Sequence, residues 1–164
     1  MSKLLYFAYG SNLHPNWLRN RVQSAEPISN VSIKNWRLYF NKLSKDGSAK
    51  CNIIQTNSSD DIVHGVIYQF ESNDKKKLND AEKGYDPDNM QLGEFDDVLF
   101  YIAKKENIND NLLPYSWYKD IVILGAQNHK LPYEYIAYIK SFNATTDPDQ
   151  ERDKKNRLII CPKK

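Results

Sequence analysis

A glycine-centred turn near the N-terminus is the first segment whose residue types could do chemistry. An apolar stretch over residues 4–9 ends at Gly10, Ser11 and Asn12, a combination that indicates a turn after a strand. Successive backbone N–H groups at such a turn can bind a carboxylate or phosphate, and Pro15 then starts a short helix whose positive end would add to the field. The residues alone equally allow a plain turn. No lysine follows where a Walker loop requires one.

Glu82 is the second candidate, because it stands near the end of a predicted helix, two residues before Gly84. A carboxylate at a helix C-terminus faces the negative end of the dipole, which raises its pKa, and partial burial raises that pKa further. A glutamate tuned in this way suits a general base that works near neutral pH. The competing interpretation is a solvated surface glutamate among the lysines at positions 75–77 and 83.

A later helical segment carries the third candidate, the pair Gly125 and Ala126. Small residues in a helix permit close approach of a ligand or of another backbone, and the packing face of a core helix is the alternative. Signals for metals and nucleophiles are weak. The three histidines show no ligand spacing, so we expect no metal site. Neither Cys51 nor Cys161 lies in a nucleophile motif.

Composition narrows the classes of protein further. The 164 residues, 40% apolar and 27% charged, suit one soluble globular domain. The balance of 23 basic and 21 acidic residues argues against a nucleic-acid partner. The sequence contains no apolar run of about 18 residues, so no membrane span is predicted. The N-terminus does not resemble a signal peptide. With two cysteines and no disulfide framework we expect a cytoplasmic protein. The oligomeric state stays open.

The elements that must position these residues are mostly strands first and helices later. Strands are predicted over residues 4–9, 36–40, 51–55, 63–70 and 98–103, and helices over 14–19, 72–84, 116–127 and 132–142. Gly84 is placed to end the second helix in a left-handed conformation. Too few strand–helix alternations occur for a doubly wound sheet, so the order predicts an α+β fold. We expect one domain over residues 1–142 and a polar C-terminal tail over residues 143–164 that packs only in part.

Together and in this order, three segments resemble the γ-glutamylcyclotransferase family, the AIG2-like group. The sequence L-Y-F-A-Y-G-S-N-L at 5–13 looks like its signature, and residues 78–82 resemble its Leu-Asp-x-x-Glu segment. The pattern Y-x-x-I-x-x-x-G-A-x-x-x-x-L-P-x-x-Y from 118 to 135 is similar to its late helix-turn-helix. Two departures are Asn79, where the family commonly has Asp, and Lys83, where it often has Gly.

This resemblance implies a small mixed β-barrel flanked by helices and an enzyme that needs no cofactor. Its partner would be a small γ-glutamyl amino acid or γ-glutamyl amine, and attack of the α-amine on the γ-carbonyl would release 5-oxoproline. Glu82 would be the catalytic acid/base. The residues that the resemblance places around the substrate are Tyr9, Gly10, Ser11, Asn12, Leu13 and Tyr101.

Two other functions stay open from the sequence. A non-catalytic binding or regulatory module on the same scaffold would keep the turn, but its Glu82 would be free to point away from it. An interaction protein would instead expose an aromatic surface around Tyr133, Tyr135 and Tyr138. The span from Glu82 to Tyr101 is shortened relative to the family, and we expect a hairpin there that shapes the pocket.

Overall fold

Seven strands and five α-helices carry the architecture over residues 2–161, which the computed structural model describes. Met1 and residues 162–164, the outer ends of the predicted domain and tail, lie outside the described residues. The strands are β1 (Lys3–Ala8), β2 (Glu26–Lys34), β3 (Trp36–Leu43), β4 (Ala49–Gln55), β5 (Ile62–Glu71), β6 (Tyr85–Leu92) and β7 (Phe95–Ala103). The helices are α1 (Pro15–Arg19), α2 (Lys75–Ala81), α3 (Ser116–Asn128), α4 (Tyr133–Lys140) and α5 (Gln150–Ile160).

Five strands form a mixed sheet in the order β2-β5-β1-β7-β6. β1 is antiparallel to β5 and parallel to β7, which puts the N-terminal strand in the middle. β3 and β4 form a separate antiparallel pair. The α+β class is confirmed, but the sheet is not closed into the expected barrel. Asn35, the single residue between β2 and β3, has a φ of 67° and turns the chain out of the larger sheet, so β2 and β6 remain its two edges.

The predicted strands and helices are present with shifted ends, whereas β2 and α5 had not been predicted and β6 was expected only as part of a hairpin without stated bounds. β6 contains Pro87 and two aspartates, which disfavour strands, and it is tolerated because it lies at the sheet edge. β6 and β7 form the hairpin expected between Glu82 and Tyr101. Gly84 has the left-handed φ expected after α2, at 86°.

The segment predicted as a polar tail carries helix α5, which contacts α1 and α3. Asp147, 1% exposed, accepts hydrogen bonds from Arg152 Nε at 2.7 Å, Arg152 Nη2 at 2.6 Å and Trp117 Nε1 at 2.8 Å. The Arg152 guanidinium lowers the pKa of Asp147 to about 2. Asp149 caps α5 by accepting from the Arg152 N–H. This buried charge-assisted cluster fixes α5 against α3.

Helix α3 packs directly on the turn that follows β1. An added Cβ at Gly125 would lie 2.6 Å from the His14 backbone nitrogen and 2.8 Å from Leu13 Cβ. The close approach expected at Gly125 is therefore confirmed, and its neighbour is backbone. Because α3 touches the chain immediately after the turn, the core and the turn constrain each other.

We expect Gly125→Ala to destabilise the fold by roughly 1–3 kcal/mol, because the new methyl group would overpack a backbone contact. This would outweigh the ~1 kcal/mol by which Ala favours a helix over Gly. Urea unfolding measures the change. Gln127→Ala, at an exposed position of the same helix, is the control and should stay within about 0.5 kcal/mol of wild type. An unchanged stability of Gly125→Ala would contradict the packing described.

Candidate functional site

One cavity of about 730 Å³ opens where the turn after β1, the end of α2, the β3–β4 pair and α3 meet. Six of the seven site residues expected from the sequence line it: Tyr9, Gly10, Ser11, Asn12, Glu82 and Tyr101. Leu13 does not, since its side chain is fully buried in the hydrophobic core. Residues remote in sequence therefore share one space.

The turn is a short 3-10 helix, Ser11–Leu13. Its first internal hydrogen bonds run from the Leu13 N–H to the Gly10 carbonyl at 3.0 Å and from the His14 N–H to the Ser11 carbonyl at 3.1 Å. The N–H groups of Ser11 and Asn12 therefore lack an acceptor within the turn. N–H groups of this kind at a cavity wall suit an anionic group.

Asn12 joins the turn to Glu82. Its side chain is buried, at 3% exposure, and its Nδ2 donates to Glu82 Oε1 at 2.7 Å and to the Tyr6 hydroxyl at 2.9 Å. Glu82 is the residue that ends α2, and its side chain is half-buried. The solvated surface glutamate that the sequence also allowed is therefore excluded.

The surroundings of Glu82 favour its protonated form more than water does. Burial raises the pKa of Glu82, while the nearby charges of Arg21 and Lys42 and the hydrogen bond from Asn12 act against that rise. The main cause is thus desolvation and not the helix end alone. A carboxylate with a raised pKa beside hydrogen-bond donors can take up a proton and return it.

Tyrosines form much of the remaining wall. Tyr101 donates from its hydroxyl to Asn79 Oδ1 at 2.5 Å, and its backbone carbonyl accepts from the Tyr9 hydroxyl at 2.5 Å. Burial raises the pKa of Tyr101, and the charge of Glu82 adds to this rise. Asn79 therefore serves as an uncharged acceptor, where an aspartate would add a second negative charge close to Glu82.

Sequence reasoning missed the basic residues of the cavity. Arg21 lies over the Trp17 ring at 4.9 Å, and Lys42 and Lys50 come from β3 and β4. A signal for Lys42 was available in the sequence, because strand alternation places position 42 on the same face as Leu38 and Phe40, and a lysine on the inward face of a strand is unusual. In the structure a register shift between Phe40 and Lys42 interrupts that alternation, but Lys42 is still buried. Arg21 had no comparable signal, since it follows a short helix in an irregular segment.

The described residues offer little support for other classes of site. Residues 2–161 contain no group of three or more His, Cys, Asp or Glu side chains able to hold a metal ion. Within the same range, no helix combines the length and the apolarity that crossing a bilayer requires. Of the three aromatic residues proposed for an interaction surface, only Tyr133 is exposed, at 82%, whereas Tyr135 is buried and Tyr138 half-buried.

Comparison with known proteins agrees with this architecture. A γ-glutamyl cyclotransferase has 22% identity to the chain and a TM-score of 0.80, and the match covers 94% of this chain and 99% of that one. An uncharacterized protein from Homo sapiens is similar at 22% identity and a TM-score of 0.78, with the same coverage. YkqA from Bacillus subtilis has 16% identity and a TM-score of 0.70, covering 88% of this chain and 57% of that one. At these identities the structures share the fold.

Sequence comparison gives the family itself. No curated protein sequence matches the chain, but the family model for γ-glutamyl cyclotransferase, AIG2-like, matches residues 6–120. That range spans β1 to the first part of α3 and contains both the turn and Glu82. The chain therefore belongs to the AIG2-like family of γ-glutamyl cyclotransferase-like enzymes.

Proposed function

We propose that the protein is a γ-glutamyl cyclotransferase that releases 5-oxoproline from a γ-glutamyl amino acid or γ-glutamyl amine. The observation that carries the proposal is the 2.7 Å hydrogen bond from Asn12 Nδ2 to Glu82 Oε1, which holds a carboxylate next to the turn after β1 at one cavity. A non-catalytic module on the same scaffold would not require Glu82 to face that cavity, so this arrangement supports the enzyme.

The turn and its neighbours would hold the glutamyl part of the substrate. The N–H groups of Ser11 and Asn12 and the guanidinium of Arg21 are the donors available for its α-carboxylate. Tyr9 and Tyr101 would line this region. Leu13 would act through the core, since its N–H closes the turn and its side chain packs inside.

Glu82 would move the protons of the reaction. As general base it takes a proton from the substrate α-amine, whose nitrogen then attacks the γ-carbonyl carbon and closes a five-membered lactam ring. N–H groups of the turn are the available donors for the oxyanion that forms. Protonated Glu82 then gives its proton to the leaving nitrogen, the former amide C–N bond breaks, and 5-oxoproline and a free amine separate.

The cyclisation depends mainly on how the enzyme positions the substrate, and it needs no second reactant. Both reacting groups already belong to one molecule, so holding a folded conformer can contribute up to ~7–11 kcal/mol. A covalent route through Cys51 is disfavoured, because burial raises the pKa of its thiol to about 12 and the thiolate is the nucleophilic form. Glu82 is left as the proton carrier.

Turnover of a panel of γ-glutamyl dipeptides and γ-glutamyl amines, with detection of 5-oxoproline, tests the function. We expect product with at least one member, and a loss of at least about 100-fold in kcat for Glu82→Gln, which keeps shape and the Asn12 contact but cannot carry the proton. Glu94→Gln, at an exposed position of the β6–β7 turn, is the control. Full activity of Glu82→Gln would remove Glu82 from the mechanism, and no product across the panel would refute the proposed function.

Glu82→Gln should raise the stability of the folded protein although it lowers the activity. Because the pKa of Glu82 is raised in the folded protein, its stabilising contribution is fully present at acidic pH and is lost as pH rises through that pKa. Glu82→Gln should therefore melt at a higher temperature than wild type at pH 7, with a difference that shrinks toward pH 4. Melting curves at several pH values measure this. An equal or lower melting temperature of Glu82→Gln at pH 7 would contradict the desolvation of Glu82.

Gly10 tests the role of the turn in binding. An added Cβ at Gly10 would lie 2.9 Å from Cys51 Cβ, so Gly10→Ala should shift the turn and weaken substrate binding about tenfold or more. Calorimetric titration of a γ-glutamyl dipeptide into Glu82→Gln, with and without Gly10→Ala, measures the loss. Adding Cys51→Gly removes the clashing atom and should restore affinity. Unchanged affinity of the Gly10→Ala variant would exclude the turn from the substrate site.

A further inference from the structure

Lys42 is a buried lysine at the wall of the cavity. Its exposure is 6%, and no Asp or Glu within residues 2–161 forms an ion pair with it. Its Nζ donates to the Lys83 carbonyl at 2.9 Å and lies 4.8 Å from the centre of the Tyr85 ring. Buried charges are normally paired, but the carboxylates of Glu82 and Asp46 act on Lys42 only from beyond ion-pair distance. Its ammonium group is therefore still able to take a direct counter-ion at the cavity wall.

Its neighbour across the strands does not provide that counter-ion. Lys50 pairs directly with Lys42 in the β3–β4 register and lines the same cavity. The ammonium of Lys50 is already used: it lies 2.8 Å from Asp46 Oδ2 and 3.1 Å from Ser48 Oγ, and it faces the rings of Trp117 and Tyr118. Asp46 therefore makes its direct contact with Lys50, and the negative group that acts most strongly on Lys42 is Glu82.

Lys42 reaches the end of α2 through other residues than Asn12 does. Asn12 reaches Glu82 from the turn, whereas Lys42 contacts the two residues that follow Glu82. It donates to the Lys83 carbonyl, and its Nζ fills the space 2.8 Å from where a Cβ of Gly84 would stand. The turn and Arg21 are thus available for the glutamyl part of a substrate, and Lys42 for the part beyond the bond that breaks.

We propose that Lys42 binds a carboxylate on the leaving amine, so that the preferred substrates are γ-glutamyl amino acids and not γ-glutamyl amines. This inference rests on the proposed cyclotransferase function. Glu82 is neutral once it has taken up the proton, and at that stage the carboxylate of the leaving group is the negative charge that stays beside Lys42. A cationic leaving group would face the same ammonium and be repelled.

Two substrates that differ only in this carboxylate test the proposal: γ-glutamyl-2-aminobutyrate and γ-glutamyl-propylamide. We expect wild type to show at least tenfold higher kcat/KM for the first. Lys42→Met should reduce that preference to within about twofold by lowering kcat/KM for the aminobutyrate alone. Lys42→Arg, which keeps the charge, should retain most of it. γ-Glutamyl-cadaverine, with a cationic leaving group, should be the poorest substrate of wild type.

Lys45→Met is the matched control, because Lys45 lies at the same cavity but is exposed. It removes one charge from the rim and should leave the preference intact. If Lys45→Met reduces the preference as much as Lys42→Met does, a general field and not Lys42 is responsible, and the proposal is overturned. An equal fall in kcat/KM for both substrates in Lys42→Met would also overturn the proposal. Lys42 would then act on Glu82 or on the glutamyl carboxylate, which the two substrates share.

The role of Lys42 and the cyclotransferase function are refuted by different results. 5-Oxoproline from both substrates without preference in wild type refutes the role of Lys42 and leaves the cyclotransferase standing. No 5-oxoproline from any γ-glutamyl compound refutes the proposed function, and the affinities of wild type for the same two compounds, measured by calorimetry, then decide the subsite. Equal affinities, or no binding, would overturn it. If Lys42→Met fails to fold, Lys42→Gln and the wild-type preference provide the same test.

Discussion

The hydrogen bond between Asn12 and Glu82 is the constraint on which the site depends. It connects the turn after a central strand to the end of a helix 70 positions along the chain. Asn12 is buried and Glu82 half-buried, so the bond is stronger than it would be at the surface, and the buried amide would be costly to leave unpaired. Its donor steadies a carboxylate whose burial favours the neutral form. A carboxyl group whose pKa is raised in this way is better suited to accept and return a proton than one in water.

The rest of the fold supports that bond from several sides. β1 lies between β5 and β7 and carries Tyr6 and the turn. α3 presses on the backbone just beyond the turn through Gly125. α5, held by Asp147 and Arg152, brings the C-terminal segment against α3, and Arg152 also lines the cavity. An error in any of these contacts would displace the donor or the carboxylate, although none of them need touch the substrate.

Residue patterns alone pointed to the turn, to Glu82 and to most of the elements, because each carries a local signal, whereas Tyr101 came only from the family resemblance. The turn contains the turn-forming residues Gly, Ser and Asn, Gly84 stands where a helix-ending glycine is expected after α2, and α3 shows apolar residues at helical spacing. The open sheet, the edge strand β6 and helix α5 had no such signal. Whether a sheet closes into a barrel depends on which strands pair at long range. Helix α5 is strongly polar and has a single buried residue, so it shows little apolar periodicity. The family motif also includes Leu13, whose side chain packs in the core, because a motif does not separate residues that line a cavity from residues that pack behind them.

The ion pairing of the basic residues in the cavity could not be predicted from the sequence either. Lys42 could have been found from the strand alternation, yet its lack of a direct ion pair within residues 2–161 is a property of the folded structure and depends on Asp46 being bound to Lys50. Which charges in a cavity form ion pairs is therefore determined from the three-dimensional contacts and cannot be inferred from the residue types in the sequence.

The most direct measurement is the pH titration of the Glu82 side chain by carbon NMR, set beside the pH dependence of kcat/KM for a γ-glutamyl substrate. The acid limb of kcat/KM reports the ionisation of an essential base in the free enzyme. The account predicts one shared pKa for the two curves, above the ordinary glutamate value of about 4.5. A Glu82 that titrates at or below that value, or an acid limb that does not coincide with its titration, would contradict it.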